Sequence, residues 1–270
     1  MNFDWYAATV DAAPDEALGE LVTAFDEATY EQCRPLGGYR FNQAARVVRG
    51  LDTVATVMWD GPGAEQRGAS SCFVQATGRQ SASVAQFLRR WQPSHRVSRS
   101  DVAEDYTGPG TWERLSGLSL AIADRHGVKV EHAGDWHRGT DGRSIYLGGR
   151  MSVVREVVYE KGKQLGGDPL HVRVELRVRP GTRAAKAEAA RLEPAQFYGA
   201  SSWSADLGEQ LQHADIARLS LGTVYRERDV DRARRALLDQ YGRTLLGLHT
   251  ECGSWESVGA WLGERLCSTW

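Results

Sequence analysis

Tyr159, Lys161 and the segment His171-Val172-Arg173-Val174-Glu175-Leu176-Arg177-Val178-Arg179 hold the residue types from which this chain could build a reaction centre. Period-two alternation in the segment puts four aliphatic side chains on one face of a strand and Arg173, Glu175, Arg177 and Arg179 on the other. Such a face suits the solvated side of a half-buried sheet, and it equally suits a carboxylate set among arginines at a metal-and-phosphate site. Upstream, Arg99, Asp101 and Asp105 are separated by even offsets and share a face of a second strand. Two carboxylates projecting together repel unless solvent or a cation intervenes, and oxygen ligands favour Mg²⁺ or Mn²⁺. The plainer reading is a pair of independent surface aspartates.

Between residues 143 and 179 there are eight Lys/Arg against four Asp/Glu, a local surplus of positive charge in a chain whose formal net charge is -2. A tyrosine at the exit of a basic strand suits attack on a phosphodiester, because phenolate is nucleophilic and a phosphotyrosyl ester conserves the bond for resealing. Lys161 would then stabilise phenolate or the charge on phosphorus. The alternative for Tyr159 is an ordinary strand tyrosine with a buried ring and a wet hydroxyl.

The elements that must position these residues read as a mixed α+β body. Strands are expected at 4–10, 39–48, 54–59 and 71–76, with helices at 14–27 and 81–90. The order then recurs: a strand at 95–105, a helix at 112–126, and strands near 128–132, 143–147, 153–161 and 171–179. The fold class expected is therefore α+β, an antiparallel-sheet catalytic core of two related RRM-like or ferredoxin-like units. Helices at 182–192, 204–213, 228–249 and 254–266 form a helical C-terminal part. This divides the chain into a catalytic region 1–181, with halves 1–92 and 93–181, and a helical region 182–270. Composition is that of a globular protein: 41% hydrophobic, 25% charged, and without an apolar run long enough to cross a bilayer. The first residues lack the pattern of a secretory signal, which points to the cytoplasm, and the four cysteines contain no C-x-x-C pair. Of the nine tryptophans, Trp112, Trp136 and Trp203 lie near glycine-rich turns and are expected to be exposed.

Four segments, in order, make a specific pattern: F-V-Q-A-T-G-R-Q, S-R-S-D-V-A-E-D-Y, R-S-I-Y-L-G-G-R-M-S running on to V-V-Y-E-K-G-K-Q, and V-R-V-E-L-R-V-R-P. Together they closely resemble the core of the rolling-circle replication initiators of the plasmid Rep_trans family and their relatives in filamentous phages, over about residues 70–180. One departure is Gln80, which stands where the first segment's turn would carry a second glycine. The resemblance implies a site-specific nickase and strand transferase that begins rolling-circle replication through a 5′-phosphotyrosyl intermediate. It places the nucleophile at Tyr159 with Lys161 beside it, and the divalent-metal region at Asp101, Asp105 and Glu175, loaded with Mg²⁺ or Mn²⁺. Arg150, Arg155, Lys161, Lys163 and Arg173 are the candidate phosphate contacts. The seven histidines contain no His-hydrophobe-His pair, so relatives that bind metal through that motif are excluded.

Implied partners are origin DNA, single-stranded or hairpin at the nick site, a host helicase and a second copy of the chain in a homodimer, with no membrane. Arg228, Arg232, Arg234 and Arg235 cluster on one C-terminal helix as a DNA-reading surface or a solvated face. Two other functions remain open on the sequence: a non-enzymatic DNA-binding accessory or repressor, and a mobilisation relaxase.

Overall fold

The β-branched and aromatic runs become strands of a single antiparallel sheet in the computed structural model of the chain, which describes residues 1–36, 41–61, 71–91, 94–211 and 229–267. The strands are β1 (Asn2–Val10), β2 (Thr29–Cys33), β3 (Gln43–Arg49), β4 (Asp52–Trp59), β5 (Cys72–Thr77), β6 (His95–Tyr106), β7 (Val130–Ala133), β8 (Ser144–Leu147), β9 (Val154–Tyr159) and β10 (Val172–Val178). Their order in space is β2-β3-β4-β5-β1-β6-β10-β9-β8-β7. The helices are α1 (Pro14–Ala24), α2 (Gln80–Trp91), α3 (Thr111–His126), α4 (Lys161–Leu165), α5 (Arg183–Ala189), α6 (Ser202–Gln210), α7 (Asp229–Cys252) and α8 (Trp255–Cys267), with a 3₁₀ segment at Pro194–Ala200.

The strand order contains the same unit twice. β1, α1 and the meander β2 to β5 place β5 beside β1, and β6, α3 and the meander β7 to β10 place β10 beside β6. β1 and β6 then pair antiparallel and join the two meanders into one sheet. The α+β core of two related units is thus present, although the halves share no evident sequence repeat.

One face of this sheet is the core. Leu18 and Leu21 of α1, Val84 and Leu88 of α2, Leu115 and Ile122 of α3, and Phe197 and Tyr198 of the 3₁₀ segment pack over Tyr6, Val102, Val158, Val174 and Leu176. Each such side chain contributes about 1.5–3 kcal/mol when removed from water. The other face carries a small apolar cluster on the first half, Ala7, Ala44, Met58 and Phe73, and the charged residues on the second.

Three local departures from the sequence expectations have physical causes. β2, Thr29-Tyr30-Glu31-Gln32-Cys33, is an exposed edge strand with no buried face, so it lacks the alternation that would announce it. The strand expected to run to 161 stops at Tyr159, because Lys161–Leu165 closes into a helical turn. Gly162 permits that turn: its N–H donates to the His171 carbonyl at 3.1 Å, and a Cβ there would overlap the Asp168 carbonyl. Trp112 is buried under the Arg143 guanidinium rather than exposed, and Trp203 is half-buried against the core, whereas Trp136 is exposed as expected. Residues 39, 40, 62, 63, 212 and 213 of the expected elements and turns lie outside the described residues.

Two compact units divide the chain, Met1–Val224 and Tyr225–Trp270. α5, the 3₁₀ segment and α6 belong to the first; α7 and α8 make up the described part of the second. Arg228 and the side chains of Arg232, Arg234 and Arg235 lie outside the described residues. No helix among the described residues is long and apolar enough to cross a membrane.

Candidate active site and nucleic-acid face

Strand register assembles the charged face. Residues directly opposite across antiparallel strands point the same way, so Tyr159, Arg173 and Asp105 form one row, Val157, Glu175 and Ala103 the next, and Arg155, Arg177 and Asp101 the third. The third row continues through Trp5 of β1 to Thr77 of β5. A register shift between Phe3 and Trp5 leaves Asp4 in a bulge. The bulge breaks the alternation, so that Asp4 and its neighbour Trp5 both lie on the charged face while Phe3 and Tyr6 on either side face the core.

At the centre of this face the Tyr159 hydroxyl donates to Glu175 Oε2 at 3.3 Å, a diagonal contact between neighbouring strands. Burial, and then the Glu175 charge, raises the tyrosine well above its ordinary value, with Arg173 working in the opposite direction. Tyr159 is therefore a phenol that needs a base to ionise, and Glu175 is the carboxylate within reach. Only 5% of Glu175 is exposed. Burial raises its carboxyl, Arg177 opposes this, and the Asp101 and Asp4 charges add to the rise. An acceptor so tuned is a better proton acceptor than a free glutamate.

Arginines flank that pair. Arg177 Nε donates to Glu175 Oε1 at 2.7 Å and lies 3.9 Å from Asp101 Oδ2. Arg173 donates to both Asp105 oxygens and to Asp4 Oδ1, the last at 2.9 Å. His171 Nε2 sits 2.7 Å from Asp105 Oδ1. Burial works against ionisation of Asp105, yet the hydrogen bonds from Arg173 and His171 hold it down to about 2. Arg99 pairs with Asp101 through Nε and Nη2 and lies 4.0 Å above the Trp5 ring. Arg179 is lowered from the usual arginine range by burial and then by the positive charge of Arg99, Arg177 and Arg155, and its Nη1 is buried without a hydrogen-bond partner among the described residues. Crowded guanidiniums with an unmet donor constitute an anion-binding surface.

The remaining residues singled out from the sequence are spread around this centre. Lys161 opens α4; its charge is felt at Asp105, and it makes no hydrogen bond or ion pair among the described residues. The cation acting on Tyr159 is Arg173 instead. Arg150 is exposed in the turn after β8 with a 3.7 Å approach to Glu131. Arg155 donates to Glu131 at 2.9 Å and lies over Tyr146. Lys163 turns to Glu160 and to the Gly139 carbonyl and is held there. The face also recruits Asp4, Trp5, Arg99, His171, Arg177 and Arg179, for which the alternation of β10 and β6 was a signal in four cases; the Asp4 bulge had none.

Asp101, Asp105 and Glu175 do not converge as ligands of one ion. Asp101 and Asp105 stand four residues apart on β6, about 13 Å along a strand. Each of the three carboxylates is already compensated by an arginine. Among the described residues no three His, Cys, Asp or Glu side chains are grouped to hold a metal ion. Along this face Arg177 lies between Glu175 and Asp101.

No protein-family model matches the sequence, and no curated protein matches it. Among solved structures, the rolling-circle replication initiator protein from Geobacillus stearothermophilus is similar over 80% of this chain and 97% of its own, at 18% identity and a TM-score of 0.54. The chain thus has the fold of a rolling-circle replication initiator.

Proposed function

We propose that this protein starts rolling-circle replication by nicking, and later rejoining, one strand of its origin DNA. The observation that carries the reading is the hydrogen bond from Tyr159 to the buried Glu175, set in a field of arginines. Glu175 takes the hydroxyl proton while the tyrosyl oxygen attacks phosphorus; the bond to the 3′ oxygen breaks and that oxygen takes a proton from solvent, leaving a free 3′-hydroxyl and a 5′-phosphotyrosyl enzyme. Arg177, which holds Glu175, offers donors to the non-bridging oxygens and Lys161 an uncommitted ammonium, while Arg99 and Arg179, about 20 Å along the strands from the Tyr159 row, would meet phosphates farther along the DNA. Rejoining is the same path reversed: a 3′-hydroxyl gives its proton to solvent as it attacks the phosphotyrosine, and Glu175 returns its proton to the departing tyrosyl oxygen. The positive face would take locally single-stranded or hairpin DNA, and a host helicase and a second copy of the chain are the partners the reading calls for.

The test is incubation of the purified protein with supercoiled DNA of its own replicon in Mg²⁺, in Mn²⁺ and in EDTA, followed by denaturing gels. Wild type is expected to give nicks and a detergent-stable adduct in at least one metal condition. Tyr159→Phe is expected to bind the DNA and form no adduct. An adduct from Tyr159→Phe would remove the tyrosine from its assigned role, and binding without nicks by wild type would turn the reading to a DNA-binding accessory.

A further inference from the structure

The first half of the sheet carries its own cleft on the same face as Tyr159. It has a volume of about 220 Å³ and is lined by Leu36, Arg46, Thr56, Gln75 and Thr77 among others. Register places Glu31, Arg46, Thr56, Gln75, Ala7 and Arg99 in one row across six strands. Arg99 in turn pairs with Asp101 of the charged face. Gln75 places a buried carboxamide in its lining. It is only 5% exposed, and its Oε1 is buried without a hydrogen-bond partner among the described residues. A buried, unpaired carbonyl oxygen costs stability unless something arrives to donate to it.

The duplicated topology sharpens the comparison. β5 and β10 are corresponding strands, each beside the first strand of its half, and Gln75 opposes Ala7 as Glu175 opposes Ala103. A carboxylate suited to proton transfer occupies one half, and a neutral carboxamide suited to hydrogen-bond recognition occupies the other. By strand spacing and rise, Gln75 and Tyr159 lie roughly 25–30 Å apart on one face, a separation of several nucleotides. The cleft is too small for a folded ligand and has the size class of a single flat ring system. Arg46 stands at its rim in an exposed pair with Glu31, which holds the guanidinium only weakly.

We propose that this cleft is a base-reading subsite that takes one unstacked adenine of single-stranded DNA lying across the sheet. The Gln75 Oε1 accepts from the adenine amino group while its Nε2 donates to a ring nitrogen, the carboxamide–adenine pairing that discriminates bases elsewhere. Thr56 and Thr77 border the ring, and Arg46 meets the adjoining phosphate. The inference rests on the reading of the sheet face as a single-strand DNA surface. It adds that part of the sequence choice is made in the first half rather than at the tyrosine.

Fluorescence anisotropy with labelled (dA)6, (dC)6, (dT)6 and an abasic hexamer tests it. Wild type is expected to bind (dA)6 about five- to a hundredfold tighter than (dT)6, the range for one good base contact, and Gln75→Leu to reduce that ratio to near one. A second measurement leaves the protein unaltered: a hexamer of deoxynebularine, adenine without its amino group, should bind wild type no better than (dT)6. Equal wild-type affinities, a preference that survives Gln75→Leu, or deoxynebularine binding as tightly as adenine would overturn the proposal. Those outcomes leave the nicking reading standing if the Tyr159-dependent adduct forms. An absent adduct with an intact Gln75-dependent preference would fell the nicking reading alone.

Discussion

Glu156 offers the sharpest quantitative test of how the tyrosine's strand is held. It lies on β9 three residues before Tyr159, on the opposite face, wholly buried against α3. Its Oε1 accepts from the Ser119 hydroxyl at 2.9 Å, while its Oε2 has no hydrogen-bond partner among the described residues. Burial pushes the carboxyl from 4.5 up to about 7, and the Ser119 bond opposes this only in part. Above pH 4.5 the unfolded chain gives up this proton while the folded protein keeps it, so the folded state binds more protons and stability falls as pH rises. The fall runs from about pH 4.5 to about pH 7 and then levels off. At about 1.4 kcal/mol per pH unit it amounts to roughly 3 kcal/mol. Glu156→Gln keeps the shape and the acceptor for Ser119 but does not titrate. In urea unfolding followed by tryptophan fluorescence, its stability relative to wild type should therefore improve by most of that roughly 3 kcal/mol between pH 5 and pH 8. With a urea dependence of about 3 kcal/mol per molar, the midpoint difference should move by about 1 M. Other carboxylates cancel in the comparison. A wild-type-to-variant difference that stays constant from pH 5 to pH 8 would refute the assignment of this buried charge.

Glu175→Gln removes the proton acceptor while keeping its size, and initial nicking rates should fall about 10²- to 10⁴-fold. In wild type the same rate should climb with pH through the raised Glu175 titration, and that rise should vanish in the variant. Arg179→Ala should weaken single-strand binding, measured by anisotropy, and lower the slope of log affinity against log salt by about 0.7, the share of one phosphate contact. An unchanged slope would mean that Arg179 Nη1 meets no phosphate.

The charged face was legible in the sequence because period two is a property of the strand alone. Arg99, Asp101 and Asp105, and likewise Arg173, Glu175 and Arg177, share their faces as even spacing requires, whatever the rest of the chain does. What alternation could not supply was distance and competition. It places Asp101 and Asp105 on one face without saying that they stand about 13 Å apart. Nor does it say that Arg99 and Arg177, each two residues from a carboxylate on its own strand, will close onto Asp101 and Glu175. Asp4 was hidden for a different reason: a bulge breaks the period, and bulges depend on the partner strand. The recurrence of strand, helix and meander was visible as order of elements, yet its consequence appears only in the pairing of β1 with β6, which lays both halves on one continuous face. That continuity explains why the two halves need not resemble each other in sequence. Apart from polar contacts such as Glu156–Ser119, the helix-covered side asks for apolar volume from both, so either half meets it with different residues. On the open side, Glu175 and Gln75 occupy corresponding places and differ in charge, and on the proposed reading that difference separates moving a proton from recognising one.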